Sequence, residues 1–324
     1  MLTDKANILC LLMILKEYSD ADHVMRMGEI TSKFKSLYGM TVDRRTIYGG
    51  IDLLLKLDYD IATYEETGKK GYYLREREFE LPEARLIMDS LYSFSGISSK
   101  HTGDLVKKVQ KTLSVYERHR YKNLVIAKPD MKTDNRQVFY NIELLDEAIS
   151  DKVKVKFTYL EYGFDKKLKP RRPEKYLVNP YGLVCANEHY YLVCNYDAHE
   201  NISHYRIDRI RDIEKCEEKI KRAPKGFNAL DYTNKSIYMF GGETERVVLK
   251  CKNNILSDVI DKFGRNVGIM ENEDDETFTA RLDIAPAGLK FWAMQYLSCC
   301  EVLSPQWLRN EIIESIKGNE YQKV

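Results

Sequence analysis

Apolar positions near the start of the chain follow the spacing of amphipathic helices. Between Ile8 and Leu15 they recur at steps of three and four, the spacing of one helix face. A second helix is predicted over residues 28–38, because Gly39 supplies the backbone freedom that ends a helix. Asp43 is a suitable N-cap for a third helix. The pattern therefore predicts three successive short helices.

The third helix has two chemically different faces. The predicted inward positions are Ile47, Ile51, Leu54 and Leu55. The predicted outward positions are Arg45, Tyr48, Gly49 and Asp52. Two strands, over 61–64 and 72–75, should follow, joined by a glycine-containing turn.

A two-faced helix followed by a hairpin with lysines at its turn is an arrangement that can bind DNA. A helix fits the major groove, its first turns can present arginine to guanine edges, and lysines at a hairpin tip can neutralise phosphate. The candidate DNA-binding residues are Arg44, Arg45, Thr46, Tyr48, Lys69, Lys70 and Tyr72. The alternative is a structural three-helix domain with a solvated charged face.

The same segment resembles the winged helix-turn-helix of DeoR-type and WYL-domain regulators. The residues that carry this resemblance are Asp43-Arg44-Arg45-Thr46-Ile47-Tyr48, then Ile51 and Leu54, and the ending Gly71-Tyr72-Tyr73-Leu74. It implies a DNA-binding domain over 1–78. Those families usually have a basic and an acidic residue after the tyrosine, where this chain has Gly49-Gly50. Because each glycine costs a helix about 1 kcal/mol relative to alanine, we expect this helix to be bent or weakly ordered without DNA.

Residues 79–136 are predicted to form a helical connector. Leu81-Pro82-Glu83 places proline at a helix start, and a further helix should run from Leu105 to Tyr116. We expect the connector to join the DNA-binding domain to the rest of the chain and to help build a dimer. Simple packing is the favoured alternative.

A second pattern begins at Val153, where apolar and polar residues alternate up to Tyr159, as in a half-buried strand. Further strands are predicted over 176–178, 183–185, 189–196 and 204–207. Short strands at this spacing suggest a small β-barrel.

The last predicted strand of this group separates polar from apolar side chains. His204 and Arg206 share one face, whereas Tyr205 and Ile207 point to the other, and Arg209 joins the polar face from the following turn. Arginines offer forked donors for phosphate, and nearby tyrosines can stack on a base.

These strands supply a candidate ligand site. Its residues are Tyr159, Tyr191, Ser203, His204, Arg206 and Arg209. The alternative is that the two arginines pair with Asp208 and Asp212 as structural ions and that the tyrosines belong to the core.

Three segments of this region resemble the WYL domain: 179–183 (Asn-Pro-Tyr-Gly-Leu), 189–193 (His-Tyr-Tyr-Leu-Val) and 204–210. The Trp-Tyr-Leu triplet that names the domain corresponds to Tyr190-Tyr191-Leu192, so its first aromatic residue has changed. The resemblance implies an Sm-like barrel over 137–222. It also implies a regulatory ligand, which in several relatives is single-stranded nucleic acid or a nucleotide.

Residues 223–324 are predicted to follow the order strand, helix, strand, strand, helix, strand of a ferredoxin-like unit. This part resembles the extension that follows WYL domains, particularly at Phe291-Trp292 and at 302–305 before Leu308-Arg309. The resemblance implies a role in dimerisation or in ligand binding, and the sequence leaves both open.

The charge of the chain bears on its predicted function only where basic residues are clustered. The chain has 51 basic and 50 acidic residues, a formal net charge of +1, so any contact with nucleic acid depends on where the charges lie. Residues 166–175 contain six basic residues and one acidic residue. Within them Lys169, Arg171 and Arg172 are candidate accessory contacts to nucleic acid, with a solvated hairpin as the alternative.

Other classes of protein are not supported. No nucleophile elbow, P-loop, dinucleotide-binding glycine motif or zinc-protease motif occurs, so an enzyme is not expected. The seven cysteines have no C-x-x-C spacing, so neither a disulfide framework nor a metal site is predicted, and no cofactor is expected. No apolar run approaches the roughly 20 residues of a membrane span. A cytoplasmic location is expected.

The sequence therefore predicts an α+β multidomain protein: a winged helix-turn-helix, a helical connector, an Sm-like small β-barrel and a ferredoxin-like C-terminal extension. The predicted function is a transcriptional regulator that binds a double-stranded DNA operator as a homodimer and senses single-stranded nucleic acid or a nucleotide. The alternative function is a nucleic-acid-binding modulator of a defence or repair system.

Overall fold

The fold is a mixed α/β arrangement in two compact units, Met1–Asp134 and Asn135–Val324. It is seen in a computed structural model that describes residues 6–68, 71–121, 131–198, 201–224, 227–228, 237–240 and 242–319. Within these ranges no helix combines the length and low polarity required to cross a bilayer. The four-part division at 78, 136 and 222 remains a prediction.

The first unit opens with the three predicted helices. They are α1 (Asn7–Tyr18), α2 (Met27–Tyr38) and α3 (Arg44–Lys56). Gly39 ends α2 with a φ of 66°, in the left-handed region that glycine adopts without strain. Their apolar faces meet in one core, in which Leu11, Ile14 and Phe34 are almost completely buried.

Helix α3 begins as its sequence predicts. The carboxylate of Asp43 accepts hydrogen bonds from the backbone N and the hydroxyl of Thr46, both at 2.9 Å. Val42 and Ile47, at the two positions of a hydrophobic staple, are both buried. The prediction of an inward-facing Leu55 is wrong, because 38% of this residue is exposed.

The two glycines of α3 have different surroundings, although the helix runs unbroken through both. A Cβ atom on Gly49 would meet no atom within 4 Å. A Cβ atom on Gly50 would lie 2.8 Å from Cδ2 of Leu11 on α1. Gly50 therefore allows α3 to approach α1 closely, whereas nothing in the packing requires a glycine at position 49.

The segment after α3 differs from a simple hairpin. Strands β1 (Ile61–Ala62) and β2 (Tyr73–Leu74) pair antiparallel, but each is shorter than predicted. A helical turn, α4 (Tyr64–Thr67), replaces part of the predicted loop, and Thr63 and Glu66 form a capping box at its start.

The connector consists of α5 (Leu81–Ser93), α6 (Ser99–Gln110) and α7 (Val115–His119). The single helix predicted from Leu105 to Tyr116 is thus two helices, because Ser114 caps a new one.

Polar contacts bind α7 to the end of α1. The hydroxyl of Ser114 donates to the buried carboxylate of Asp20 at 2.7 Å. Arg118 donates to both carboxylate oxygens of Glu17, at 2.9 and 2.5 Å. A forked pair of this kind fixes orientation as well as distance, so α7 is held firmly to α1.

The second unit contains α8 (Val138–Asp151) and a six-stranded antiparallel sheet. The strands are β3 (Val153–Tyr162), β4 (Leu168–Pro170), β5 (Tyr176–Ala186), β6 (His189–Asn195), β7 (Ser203–Arg206) and β8 (Ile210–Lys219). Their order is β4-β3-β5-β6-β7, and β8 pairs with β3.

The observed strands differ from the predicted ones in two ways. Residues 176–178 and 183–185 belong to one strand, β5, which absorbs the intervening Asn-Pro-Tyr-Gly through a register shift between Pro180 and Gly182. Strands β4 and β8 were not predicted, and the sequence of β8 is mostly charged and its burial does not alternate.

An aromatic cluster fills one side of the sheet. Tyr205 lies at its centre, with the rings of Phe157, Tyr159 and Tyr176 at 4.8–5.3 Å from its own. Tyr196 contributes a hydroxyl that bonds to that of Tyr205. Edge-to-face contacts of this kind stabilise a core beyond the burial of area alone.

The C-terminal part of this unit has the predicted element order. Its elements are β9 (Glu245–Lys252), α9 (Leu256–Phe263), β10 (Gly268–Glu271), β11 (Thr277–Ile284), α10 (Pro286–Gln295), β12 (Cys300–Ser304) and α11 (Gln306–Lys317). The strands form an antiparallel sheet in the order β10-β11-β9-β12. Its core includes Leu249, Phe278 and Trp292.

Gly49→Ala should raise the free energy of unfolding by about 0.5–1 kcal/mol, because alanine favours the helix and meets no neighbour here. Gly50→Ala is the matched control, since the same gain is opposed by contact with Leu11. Urea unfolding of both variants tests the difference. Equal stabilisation by both would contradict the assigned packing.

Asn179→Ala should destabilise the second unit by about 3 kcal/mol. The fully buried Asn179 amide donates to Asn195 at 2.9 Å and to Asp197 at 3.0 Å, and its oxygen accepts from the backbone N of Lys221 at 2.9 Å. Tyr181→Phe removes a hydroxyl that donates to Asn195 at 2.8 Å and lies 3.3 Å from the backbone oxygen of Lys221, and should cost about 1 kcal/mol. Thermal unfolding of the two variants compares them, and an unchanged midpoint for Asn179→Ala would refute this role.

Candidate nucleic-acid sites

The N-terminal end of α3 exposes a compact set of polar side chains. Arg44, Arg45, Thr46 and Tyr48 are all exposed, and Tyr48 retains 49% of its surface. Neither arginine has an ion pair among the residues that the structure describes. The capping bonds of Asp43 also hold the pKa of its carboxyl below the usual range. The helix thus presents two exposed guanidinium groups from a fixed first turn.

The structure does not bring every predicted DNA-binding residue to this surface. Tyr72 is only 6% exposed, because its ring packs edge-on against that of Tyr64 at 4.8 Å. Burial raises the pKa of Tyr72 to about 12. Its side chain therefore belongs to the core, and the prediction that it contacts DNA needs correction. Lys69 and Lys70 lie outside the described residues.

Strand β7 separates a polar face from the aromatic core. Tyr205 points into the aromatic cluster, so His204 and Arg206 point to the opposite side of the sheet. Arg206 is the ladder partner of Tyr191 on β6, and directly opposite residues share a face. The predicted combination of Tyr191, His204 and Arg206 is therefore assembled.

Arg206 is committed to a structural ion pair. Its Nε and Nη2 atoms donate to the two carboxylate oxygens of Asp208, at 3.0 and 2.8 Å. Asp208 is 4% exposed, and the Arg206 side chain is 23% exposed. This pair is the structural alternative that the sequence left open for Arg206, and it leaves fewer donors of this guanidinium for a ligand.

The turn that follows β7 holds the second arginine. Residues Ile207–Arg209 form a short 3-10 helix. Asn135 donates to the backbone oxygens of Asp208 and Ile210 at 2.9 and 3.1 Å, and Asn141 of α8 donates to that of Ile210 at 2.9 Å. These amides fix the direction in which the turn points.

Arg209 is the less committed of the two arginines. Its guanidinium lies 5.5 Å from the ring centroid of Tyr162, and no ion pair with Asp212 occurs among the described residues. Its Nε is buried and has no hydrogen-bond partner there. A buried donor without a partner carries a desolvation cost that a phosphate oxygen would relieve.

His189 is a member of the polar face that sequence reasoning missed. It lies two residues before Tyr191 on β6, so the two side chains share a face, with ring centroids 6.5 Å apart. Burial, followed by the charge of Arg206, lowers the pKa of His189. Its Nδ1 atom is buried and has no partner among the described residues. The alternation of β6 was the signal that could have identified it.

Of the other predicted ligand residues, Tyr159 and Ser203 lie on the aromatic side of the sheet, whereas His204 belongs to the polar face. Tyr159 is 8% exposed within the aromatic cluster, and its hydroxyl accepts a bond from the backbone N of Arg206 at 3.3 Å. Ser203 shares the face of Tyr205 by alternation. His204 is half-buried, and burial lowers its pKa to about 4, so it carries no charge at neutral pH.

The accessory basic residues all have local partners. Lys169 pairs with Asp165 at 2.8 Å, and Arg171 lies 3.5 Å from Glu161. Arg172 stacks over the ring of Tyr176 at 3.6 Å. Pairs this exposed contribute little stability and exchange readily with solvent ions, so the accessory role remains a prediction. Over the same described ranges, no group of three or more His, Cys, Asp or Glu could hold a metal ion.

The solved structures that are similar to this chain share little sequence identity with it. A structure of "Proteasome accessory factor B/C (PafBC) of Arthrobacter aurescens" is 13% identical, with a TM-score of 0.28 and coverage of 96% of this chain and 47% of that one. This chain thus spans about half the length of that protein. A "CRISPR Cas-related protein" is 14% identical, with a TM-score of 0.38 and coverage of 98% and 85%. At these TM-scores, neither likeness supports an argument about fold or function.

Two segments of the chain match known domain families. No curated protein sequence matches the chain. The WYL domain profile matches residues 140–215, and the WCX domain profile matches residues 243–318. The WYL match includes the Asn-Pro-Tyr-Gly segment and the polar face of β6 and β7. The chain therefore contains a WYL domain followed by a WCX domain.

Proposed function

We propose that this protein is a transcriptional regulator that binds DNA through α3 and a nucleotide or single-stranded nucleic acid through its WYL domain. The observation that carries the proposal is the pair of exposed guanidinium groups in the capped first turn of α3. The protein acts by binding rather than by catalysis. The presence of the WYL domain also fits a modulator of defence or repair proteins, but exposed arginines on α3 favour a DNA-binding regulator.

In this proposal the first domain is a winged helix-turn-helix, with α3 as the reader of the major groove. Arg44 and Arg45 are placed to reach guanine edges or phosphates, and Tyr48 extends the contact one turn along the helix. The protein binds as a homodimer, so two copies of α3 address half-sites about one DNA turn apart.

The WYL domain, proposed as an Sm-like barrel, is the sensor. Its ligand surface is the polar face of β6, β7 and the following turn, defined by His189, Tyr191, Arg206 and Arg209. Arg209 supplies donors for a phosphate, and the half-buried Tyr191 offers a ring for a base. A ligand held there changes the separation of the two α3 helices and thereby the affinity for the operator. The firm attachment of α7 to α1 supports this, because movement of the connector would be passed to the DNA-binding helices.

Arg45→Ala should weaken specific DNA binding by about 1–3 kcal/mol, the range for loss of one good base contact. The measurement is fluorescence anisotropy with the operator selected from a random duplex pool. Lys56→Ala is the matched control, because Lys56 lies at the other end of α3 and pairs with Asp52 at 2.7 Å. Unchanged affinity for Arg45→Ala would reject α3 as the reader.

Arg209→Ala should abolish most binding of a fluorescein-labelled single-stranded oligonucleotide and leave thermal stability nearly unchanged. Arg206→Ala should instead destabilise the fold by about 3 kcal/mol, since it leaves the buried carboxylate of Asp208 without its counter-ion. The charge control is Lys219→Ala, at the far end of β8. Full oligonucleotide binding by Arg209→Ala would remove the proposed sensor site.

A further inference from the structure

Three of the seven cysteines lie close together in the sheet of the WCX domain. Cys251 is on β9, Cys300 is the first residue of β12, and Cys299 immediately precedes it. The Sγ atoms of Cys251 and Cys300 are 3.7 Å apart, and both residues belong to the apolar core of this domain. Both are free thiols. The structure therefore contains two reduced thiols in direct contact, which we call the Cys251–Cys300 pair.

The backbone places these two thiols where a disulfide can form without a large movement. Cys251 and Cys300 are directly opposite each other in the antiparallel ladder of β9 and β12. The backbone N of Lys252 donates to the oxygen of Cys299 at 2.8 Å, which is the bond that flanks a non-hydrogen-bonded pair. The Cα atoms of such a pair lie about 4.5 Å apart, within the range of about 4.4–6.8 Å that disulfides span. Small side-chain rotations would therefore bring the two sulfurs to bonding distance.

The third cysteine has different neighbours. The Sγ atom of Cys299 lies 3.4 Å from the hydroxyl of Ser298 and 3.9 Å from the side-chain nitrogen of Asn254, and the residue is partly exposed. Within the part of the chain that the structure describes, no three potential metal ligands come together here. Because structural zinc sites use four ligands, two thiols in contact are better suited to oxidation than to metal binding.

Ionisation and access decide which oxidant can react with the pair. A thiolate at Cys251 can accept a hydrogen bond from the thiol of Cys300, and this bond lowers the pKa of Cys251. The thiolate is the form of cysteine that reacts as a nucleophile. Cys251 is 1% exposed and Cys300 is 8% exposed, so the oxidant must be small. Hydrogen peroxide is small enough to enter at the edge strand β12.

We propose that the Cys251–Cys300 pair is an oxidation site, at which hydrogen peroxide forms a disulfide between β9 and β12. The thiolate of Cys251 attacks the peroxide, so that an S–O bond forms, the O–O bond breaks, and hydroxide leaves and takes up the proton lost by Cys251. The sulfur of Cys300 then attacks the sulfenic acid. The S–S bond forms, the S–O bond breaks, and the oxygen leaves as water with the proton of Cys300. Each sulfur loses one electron, and the peroxide gains two.

A disulfide at this place would fasten β12 and the helix after it to the sheet. Strand β12 lies at the edge, and its register shifts between Val302 and Ser304, so regular pairing with β9 covers only Cys300 to Val302. Helix α11 follows and packs Leu308 and Ile312 into the same core. The new bond would join residues 49 positions apart, which restricts the unfolded chain. Oxidation should therefore stabilise this domain rather than open it.

The bond is tested on the full chain, which is first reduced with dithiothreitol and then incubated with hydrogen peroxide. Remaining thiols are blocked with N-ethylmaleimide, and tryptic peptides are analysed by mass spectrometry. The peptide of Cys251 should be recovered linked to residues 291–309, which contain both Cys299 and Cys300. Cys299→Ser is the matched control and should form the same link, whereas Cys300→Ser should not.

The effect on stability is tested by thermal unfolding of the same samples. Peroxide should raise the unfolding midpoint of the second unit by about 5–10 °C, and dithiothreitol should reverse the rise. Cys299→Ser should show the same rise, because its Cys251–Cys300 pair is intact. Cys251→Ala and Cys300→Ser should show none. Each variant is compared with itself before and after peroxide, so a lower starting stability of a variant does not alter the comparison.

The outcomes decide the proposal. A reversible link between Cys251 and Cys300 that raises the midpoint in the wild type and in Cys299→Ser, but not in Cys300→Ser, would confirm it. Free thiols at Cys251 and Cys300 under conditions that oxidise Cys299 would overturn it. A disulfide that contains Cys299 in place of Cys300 would also overturn it. A Cys251–Cys300 link that leaves the midpoint unchanged would overturn the proposed fastening of β12.

Discussion

The ion pair between Arg206 and Asp208 is the interaction on which the polar face of the WYL domain depends. It joins the last residue of β7 to the following 3-10 turn, so it fixes the position of that turn relative to the strand. Asn135 and Asn141 hold the same turn from its backbone oxygens. A buried carboxylate requires such compensation, and here the compensation also orients Arg209. The ion pair thus helps to fix the turn from which Arg209 extends.

In a chain with a net charge of +1, the positions of the basic side chains and of their partners determine where positive charge is exposed. Along the basic segment of 166–175, Lys169 and Arg171 are paired with nearby carboxylates. In contrast, Arg44 and Arg45 lie in a helix turn whose capping carboxylate is occupied by Thr46. Two residues of the basic run thus have carboxylate partners, whereas Arg44 and Arg45 have none among the residues that the structure describes. Local partners, rather than the number of basic residues, decide which surface attracts phosphate.

Sequence patterns predicted much of the fold and part of the candidate sites. The capping of α3 by Asp43 and the opposite faces of Tyr205 and Arg206 follow from local spacing, which is visible in a single segment. The burial of Tyr72 depends on which distant segments become neighbours, because its backbone pairs with that of Met25. The position of His189, by contrast, follows from the alternation of β6. Strand β8 was not predicted because its sequence is mostly charged. It adopts a strand conformation by pairing with β3, which is distant in sequence.

The two-sided nature of β7 limits how this domain can change in evolution. Tyr205 fills the aromatic core while its neighbours Arg206 and His204 face the opposite side. One inserted or deleted residue within Ser203–Arg206 would exchange these sides, placing a guanidinium among aromatic rings and a phenol where the arginine stood. Length changes can therefore accumulate between strands, but within β7 substitutions alone are tolerated. Related chains should therefore differ there by side-chain replacement at constant strand length.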